Sequence, residues 1–223
     1  MHAGGRDDAV HARHAGCTVA RVVSCKESHL DLLQHHRLAA HANRLANRRL
    51  HEALAGLAPA AFDAPRTGFF PSLAGTLNHV LAVDGYYLDA LEGVPDMAAR
   101  YDAFEPARTA AELAERQRAS DERLMRVCDR LAAGAPHDPP VAMDRGEGRV
   151  QRDRASHVLA HLFMHQTHHR GQAHAMLSGT SAAPPQLDEF LMPSDAPLRE
   201  ADMHALGWSE DAVYGPAERA GGP

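Results

Sequence analysis

The chain has 223 residues, enough for one domain of ordinary size, and its 44% apolar content is too high for a disordered chain. Lysine and arginine number 23 against 29 aspartates and glutamates, so the net charge is −6. This balance argues against a nucleic-acid binder, which needs a basic surface to displace counterions.

The three cysteines, Cys17, Cys25 and Cys128, form no CxxC pair, so the sequence predicts neither a zinc knuckle nor a thiol redox motif. An odd number of scattered thiols is typical of a reducing compartment. No apolar run approaches the roughly 20 residues that span a bilayer, and no signal-peptide centre is found near the first residue. We therefore expect a cytoplasmic protein that does not associate with membranes.

Helical periodicity dominates the chain, and strand signals are scarce. Residues 1–27 lack periodicity, and we expect them to form an unstructured, flexible leader. A first helix is predicted from about Ser28, a good cap, to Gly56. A second helix begins with Pro71 in its first turn and ends before Gly93.

A third helix is predicted from Thr109 to Ala133, because Thr109 and Glu112 have the spacing of a capping box. A short hairpin is predicted over residues 141–151, and a fourth helix over residues 154–178. Four helices of this length predict an all-α fold, a four-helix bundle.

The predicted bundle domain covers residues 28–192. Residues 193–223 form a C-terminal extension, for which we expect one short helix from about Pro197 to Leu206, capped by Asp195.

The fourth helix is rich in histidine, the commonest metal ligand. Side chains four residues apart on a helix are neighbours and can chelate one ion. With about 100° per residue, His165 and His169 fall inside the apolar stripe, and His161 lies on its border. A buried imidazole pair without partners leaves polar nitrogens unsatisfied, which a metal ion would correct. The spacing alone also allows ordinary core or surface histidines, so both interpretations stay open.

A third ligand has to come from another helix. His79 lies on the flank of the apolar stripe of the second helix, about 100° from its centre. His41 of the first helix faces inward and is a candidate fourth ligand, ligand-supporting group or pocket wall. Asp84 lies within the stripe of the second helix, so we expect it to orient a histidine or to pair with an arginine.

Two segments, residues 77–84 (LNHVLAVD) and residues 161–172 (HLFMHQTHHRGQ), closely resemble the DinB/YfiT-like family of damage-inducible metalloproteins. Residues 42–50 (ANRLANRRL) are similar to the family's first helix and residues 187–190 (LDEF) to its closing segment. The resemblance covers roughly residues 28–192. Ala42 and Leu45 stand where the family often has aromatic residues, and we expect these two departures to reshape the pocket wall.

The resemblance implies an up-down-down-up bundle and a divalent metal ion held by three histidines. The matching positions are His79, His165 and His169. It also implies that dimers are common. Related proteins include S-transferases and isomerases that use low-molecular-weight thiols.

Three neutral imidazoles leave coordination positions open, which is typical of a catalytic rather than a structural site. Water or a thiol bound there loses its proton near neutral pH. Zinc and nickel both accept imidazole, so the ligand set does not choose between them. Gln166 follows His165 where a zincin protease has its glutamate base, which excludes that class.

Arg170 is expected to brace the bundle or to pair with Asp84 rather than to bind substrate, and no catalytic residue can be named. Two functions remain. One is a metal-dependent enzyme, S-transferase-like or hydrolase-like, that activates a thiol or water against a small-molecule substrate. The other is a non-catalytic metal-binding stress-response protein.

Overall fold

The computed structural model describes residues 32–134 and 138–215. The predicted leader, residues 1–27, and the predicted Ser28 cap lie outside these ranges. The helices are α1 (Leu32–Ala55), α2 (Pro59–Phe62), α3 (Leu73–Glu92), α4 (Met97–Asp102), α5 (Ala110–Ala133), α6 (Ala155–Leu177), α7 (Ala196–Leu206) and α8 (Glu210–Tyr214). The strands are β1 (Pro140–Asp144) and β2 (Val150–Arg154), and a 3-10 turn covers Pro193–Asp195.

The helix ends follow local chemistry. Ser72 caps α3 by accepting a hydrogen bond from the Gly75 N–H, so the helix begins just after Pro71 rather than with it. Thr109 caps α5 through the N–H of Glu112, as predicted, and the Glu112 carboxylate accepts from the N–H of Arg108. The bonds to the N–H groups of Gly75 and Glu112 satisfy backbone donors that the first helical turn leaves without partners.

The four long helices α1, α3, α5 and α6 contact one another, with α1 and α3 each touching both α5 and α6. The protein is therefore mostly helical, with one small sheet, consistent with the predicted all-α class. Apolar side chains from these helices fill the space between them, including Leu50, Leu73, Leu113, Leu124, Leu162 and Leu177. Within the described ranges, no helix combines the length and apolarity needed to cross a bilayer.

The hairpin predicted between the third and fourth long helices is present as the antiparallel pair β1 and β2. Its buried residues Val141 and Met143 pack beside Ala90 of α3 and Val158 of α6. The strand β2 runs directly into α6, and the Ala155 N–H donates to the Pro139 carbonyl. The hairpin is thus joined rigidly to α6, which carries six of the 17 histidines.

The C-terminal segment packs on the outer side of α1. Phe190, Met203 and Val213 form a buried cluster with Leu45 and Ala46. The expected short helix is present as α7, with Asp195 at its N-cap position but making no side-chain cap bond. Ala42 lies against this same cluster. The two departures from the family pattern, Ala42 and Leu45, therefore face the C-terminal segment.

Candidate metal centre

Three histidines converge between α3 and α6. His79 comes from α3, while His165 and His169 stand one turn apart on α6. One ring nitrogen from each lies within 4.8 Å of the other two, and the Nε2 atoms of His79 and His165 are 3.0 Å apart. Two nitrogens bound to tetrahedral zinc at about 2.0–2.1 Å would lie roughly 3.3 Å apart. The three positions chosen from sequence are thus brought together with a spacing that suits one ion.

The α6 sequence explains why two of these rings face inward. Val158, Leu162 and Ala173 share their side of the helix and are buried, so hydrophobic burial fixes the rotation of α6. His169 is buried with them, whereas His79 and His165 are partly exposed. The ion would therefore lie at the edge of the core, where a ligand can reach it.

Neighbouring side chains fix the rings. The Nδ1–H of His169 donates to Oε1 of Gln172 at 2.8 Å, which leaves the Nε2 lone pair of His169 free to bind metal. The Phe70 ring lies 4.4 Å from the His79 ring and 5.6 Å from the His169 ring, between centroids. Phe70 thus covers two of the three imidazoles with apolar surface.

His79 and His165 are held in the neutral form that a metal ion requires. Burial lowers the pKa of His165 to about 4, and His169 and His79 beside it contribute to the shift. Burial also lowers the pKa of His79, with His169 as the second cause. Neutral nitrogens 3.0 Å apart repel unless a proton or a cation lies between them. A cation that touches all three rings satisfies them together, so the donor set fits a divalent metal.

The histidines open into a cavity of about 580 Å³. Its wall includes Tyr86, Tyr87 and Tyr101, together with residues 144–146 of the hairpin turn. His161 also lines this cavity; its exposed ring packs edge-on against Tyr87 and lies 6.3 Å from the His165 ring. His161 therefore lies at the cavity wall, beside the three-histidine cluster.

His41 is not brought to the cluster. Its ring packs edge-on against Trp208 at 4.9 Å, and its Nδ1–H donates to the Arg37 carbonyl at 2.8 Å. The prediction that His41 is a fourth ligand, a supporting group or a pocket wall is wrong, because the inward side of α1 at this position meets the C-terminal segment. Sequence periodicity could not foresee that second packing surface.

Within residues 32–134 and 138–215, Asp84 pairs with neither a histidine nor an arginine, contrary to the prediction. Its buried Oδ2 accepts hydrogen bonds from Gln117 at 2.9 Å and from Gln166 at 2.8 Å. Arg170 instead donates to Asn43 at 2.6 Å and to Asn47 at 2.9 Å. Arg170 thus braces the bundle, which is one of the two predicted alternatives. It does so through the side-chain amides of Asn43 and Asn47.

These groups belong to one buried polar network that draws on all four long helices. Its members are Asn43 and Asn47 of α1, Asp84 of α3, Gln117 and Asp121 of α5, and Gln166 and Arg170 of α6. Sequence reasoning missed five of them, although the polar pairs recur four residues apart inside apolar stripes, which was the available signal.

Burial raises the pKa of Asp84 well above its ordinary value and that of Asp121 to about 6. For both carboxyls burial is the largest cause, and the amide donors and Arg170 act in the opposite direction. Gln166, which lies between His165 and His169 on α6, ties the histidine-bearing helix to Asp84.

A sequence model of the DinB family matches residues 31–202, which include all four long helices and the three histidines. The chain belongs to the DinB family. The match continues into α7, and a search of curated proteins finds none that matches the chain. Membership in the DinB family and the three-histidine cluster together fit a metal-binding protein.

Proposed function

We propose that this DinB-family protein binds one divalent metal ion through His79, His165 and His169 and acts as an enzyme on a small molecule. The ion would activate a low-molecular-weight thiol or water, for S-transfer or hydrolysis. The observation that carries the proposal is the convergence of three imidazole nitrogens within 4.8 Å at the wall of an open cavity.

Bound metal would supply a Lewis acid that lowers the pKa of a thiol or water. The chain's own residues would orient the metal ligands, limit water and receive the substrate. Gln172 sets the tautomer of His169, Phe70 limits water beside two of the rings, and the tyrosine wall receives the substrate. Imidazole ligands suit zinc and nickel equally, so either metal is consistent with the site.

A non-catalytic metal-binding stress protein is the second candidate. It is favoured by the surroundings of the histidines. In the part of the chain that the structure describes, no carboxylate belongs to the three-histidine group, and the ring contacts of these histidines are with other histidines and Phe70. Among the described residues, no carboxylate of this cluster can therefore serve as a general base.

Metal analysis of protein purified without added metal tests whether the three histidines bind a metal ion. We expect about one zinc or nickel ion per chain and a loss of at least about tenfold in metal affinity for His169→Ala. His157→Ala is the matched control, because His157 is an exposed histidine of α6 that contacts Asp153. Full metal content in His169→Ala would show that the ion binds elsewhere.

A conjugation screen of small thiols against electrophiles, with a parallel hydrolase screen, separates the two candidate functions. Turnover that requires metal and disappears in His169→Ala supports the enzyme. Stoichiometric metal without turnover in either screen supports the non-catalytic protein.

We also infer the up-down-down-up arrangement of the four long helices. Contacts near helix ends support α1 antiparallel to α5, α3 parallel to α5, and α3 antiparallel to α6. The pairs are Arg37 with Asp129, Asp84 with Gln117, Glu92 with Arg123, Tyr87 with His161, and Thr76 with Met176.

A homodimer is a further part of the proposal. The face of α6 opposite His165 and His169 is exposed and uncharged, with Met164 67% exposed. Its residues are Ala160, Met164, Thr167, Gly171 and Ala175. Such a face suits helix packing against a second copy. Sedimentation should give a dimer for the native chain and a monomer for Met164→Glu; an unchanged dimer would exclude this face.

A further inference from the structure

The turn of the hairpin brings an arginine to the cavity of the three histidines. Arg145 directly follows β1, and its N–H donates to the Arg149 carbonyl at 2.8 Å. The next three residues, Gly146, Glu147 and Gly148, all have left-handed backbone with φ of 76°, 54° and 73°. Glycine adopts left-handed backbone without a steric penalty, so glycine at two of these positions favours the turn. The tight turn then fixes the position of Arg145.

The charge of Arg145 has no partner of opposite sign within residues 32–134 and 138–215. Its Nε donates to the Gln151 amide oxygen at 3.1 Å, and one terminal nitrogen lies 3.8 Å from the Met143 sulfur. Its guanidinium lies over the rings of Tyr86 and Tyr87, 5.3 Å and 5.9 Å from their centroids. An arginine stacked on aromatic rings keeps its planar fork oriented while its outer N–H groups stay available to a ligand.

An aromatic surface lies between Arg145 and the histidines. Tyr86 is fixed because its hydroxyl donates to the Asp144 carbonyl at 2.6 Å, and Tyr101 packs edge-on against it. Tyr87 packs in turn against His161, which neighbours His165. Arginine, tyrosines and histidines therefore line one continuous cavity.

The charges of this cavity favour an anion once metal is bound. Two carboxylates, Asp102 and Asp144, also line it, and the Asp144 carboxylate is engaged by the Gly146 N–H at 2.8 Å. A divalent cation and Arg145 contribute three positive charges against these two negative ones. A neutral or anionic ligand is thus preferred over a cation.

We propose that Arg145, with Tyr86 and Tyr87, forms a subsite for the carboxylate of a small aromatic or apolar ligand whose other end reaches the three histidines. The inference rests on the proposed function for the reacting end of the ligand, since the thiol or water activated there defines where that end lies. The subsite itself is defined by the hairpin turn and the tyrosine wall.

Calorimetric titration of the zinc-loaded protein with three probes tests the subsite. The probes are 4-mercaptobenzoate, which has both groups, 4-methylbenzoate, which has only the carboxylate, and 4-methylbenzenethiol, which has only the thiol. Arg145→Gln should weaken binding of both carboxylates about tenfold, because a charge-assisted hydrogen bond is lost. Binding of 4-methylbenzenethiol should change by less than about twofold.

Arg152→Gln is the matched control, since Arg152 is an exposed arginine of the same hairpin that does not line the cavity. It should leave all three affinities unchanged, and thermal melts should show that both variants stay folded. The subsite is overturned if the native protein binds neither carboxylate, if Arg145→Gln leaves their affinities within about twofold, or if Arg152→Gln weakens them equally.

His169→Ala separates this inference from the proposed function. It should weaken binding of the two thiols by more than it weakens binding of 4-methylbenzoate, which loses the charge of the metal ion but keeps Arg145. If the carboxylates respond to Arg145→Gln while neither thiol responds to His169→Ala, the subsite stands and the proposed thiol chemistry fails.

Discussion

Buried carboxyl groups should make the stability of this chain depend on pH. Asp121 accepts hydrogen bonds from Asn47 at 2.8 Å and from Gln117 at 3.1 Å, yet burial raises its pKa to about 6, above the ordinary 3.8. The folded state therefore holds this proton more tightly than the unfolded state. As pH rises from about 4 to 6, the ionised carboxylate becomes a cost to folding, and the free energy of unfolding falls.

Asp121→Asn should remove this dependence while keeping an acceptor for the amides. We expect the native chain to lose on the order of 2–3 kcal/mol relative to the variant between pH 4 and pH 7. Urea unfolding of both proteins at several pH values measures the difference. Asp129→Asn, at an exposed aspartate paired with Arg37, is the control. Parallel curves for the native chain and Asp121→Asn would contradict the expectation.

Gln166 links the stability of the core to the metal ligands. Its amide donates to Asp84 at 2.8 Å and its oxygen accepts from Asn47 at 3.1 Å, from a position between His165 and His169. Gln166→Leu should lower the free energy of unfolding by about 1–3 kcal/mol, since buried polar partners lose their bonds.

The same substitution should weaken zinc binding by about tenfold, because α6 loses a contact that orients its histidines. Competition with a chromophoric chelator measures this affinity. Gln186→Leu, at an exposed glutamine, is the control. If Gln166→Leu lowers stability but binds zinc as tightly as the native chain, the network supports folding alone.

At the scale of elements, much of the structure was predictable. Apolar periodicity and caps located the four long helices to within a few residues, and Thr109 and Ala133 were identified as the limits of α5. Spacing and the apolar stripe selected His165 and His169. His79 came from the family resemblance, because its own position on α3 is only at the flank of the stripe.

What could not be predicted depends on contacts between distant segments. The choice of glutamine partners for Asp84 requires α5 and α6 to be positioned, and the cavity wall requires the hairpin to fold onto α3. The short helices α2, α4 and α8 have too little periodicity to be recognised from sequence.

Replacing a glycine by alanine should have opposite effects on the free energy of unfolding in α3 and in the hairpin turn. Gly85 lies within α3 with open space where a Cβ would stand, whereas Gly146 has a left-handed φ of 76°. Gly85→Ala should raise the free energy of unfolding by about 0.5–1 kcal/mol, because alanine favours helix. Gly146→Ala should lower it by about 1 kcal/mol through backbone strain. Chemical denaturation of both variants measures the two effects, and a stabilising Gly146→Ala would contradict the turn geometry.

At the scale of the whole molecule, the C-terminal segment is held by one fully buried arginine. Arg199 pairs with Glu210 and donates to the Met192 carbonyl, and its guanidinium lies over the Tyr214 ring. Asp202 adds ion pairs to Arg48 and Arg49 of α1. The segment therefore stabilises α1 from outside the four long helices.

Arg199→Ala should release this segment and lower the free energy of unfolding by about 2–4 kcal/mol, because a buried charge network loses its centre. Zinc content should stay unchanged, since the segment does not line the cavity. Thermal melts with metal analysis check both parts, and Arg149→Ala, at an exposed arginine, is the control. Loss of metal together with stability would show that the histidines depend on this segment.

The hairpin has a consequence for how such a protein can diversify. The metal-ligand candidates stand on α3 and α6, whose positions are fixed by the core, while Arg145 and Gly146 of the cavity wall belong to a five-residue turn between two short strands. A turn of this kind can change sequence without repacking the helices. Selection for a new ligand can therefore act on the turn while the reactive centre is inherited intact.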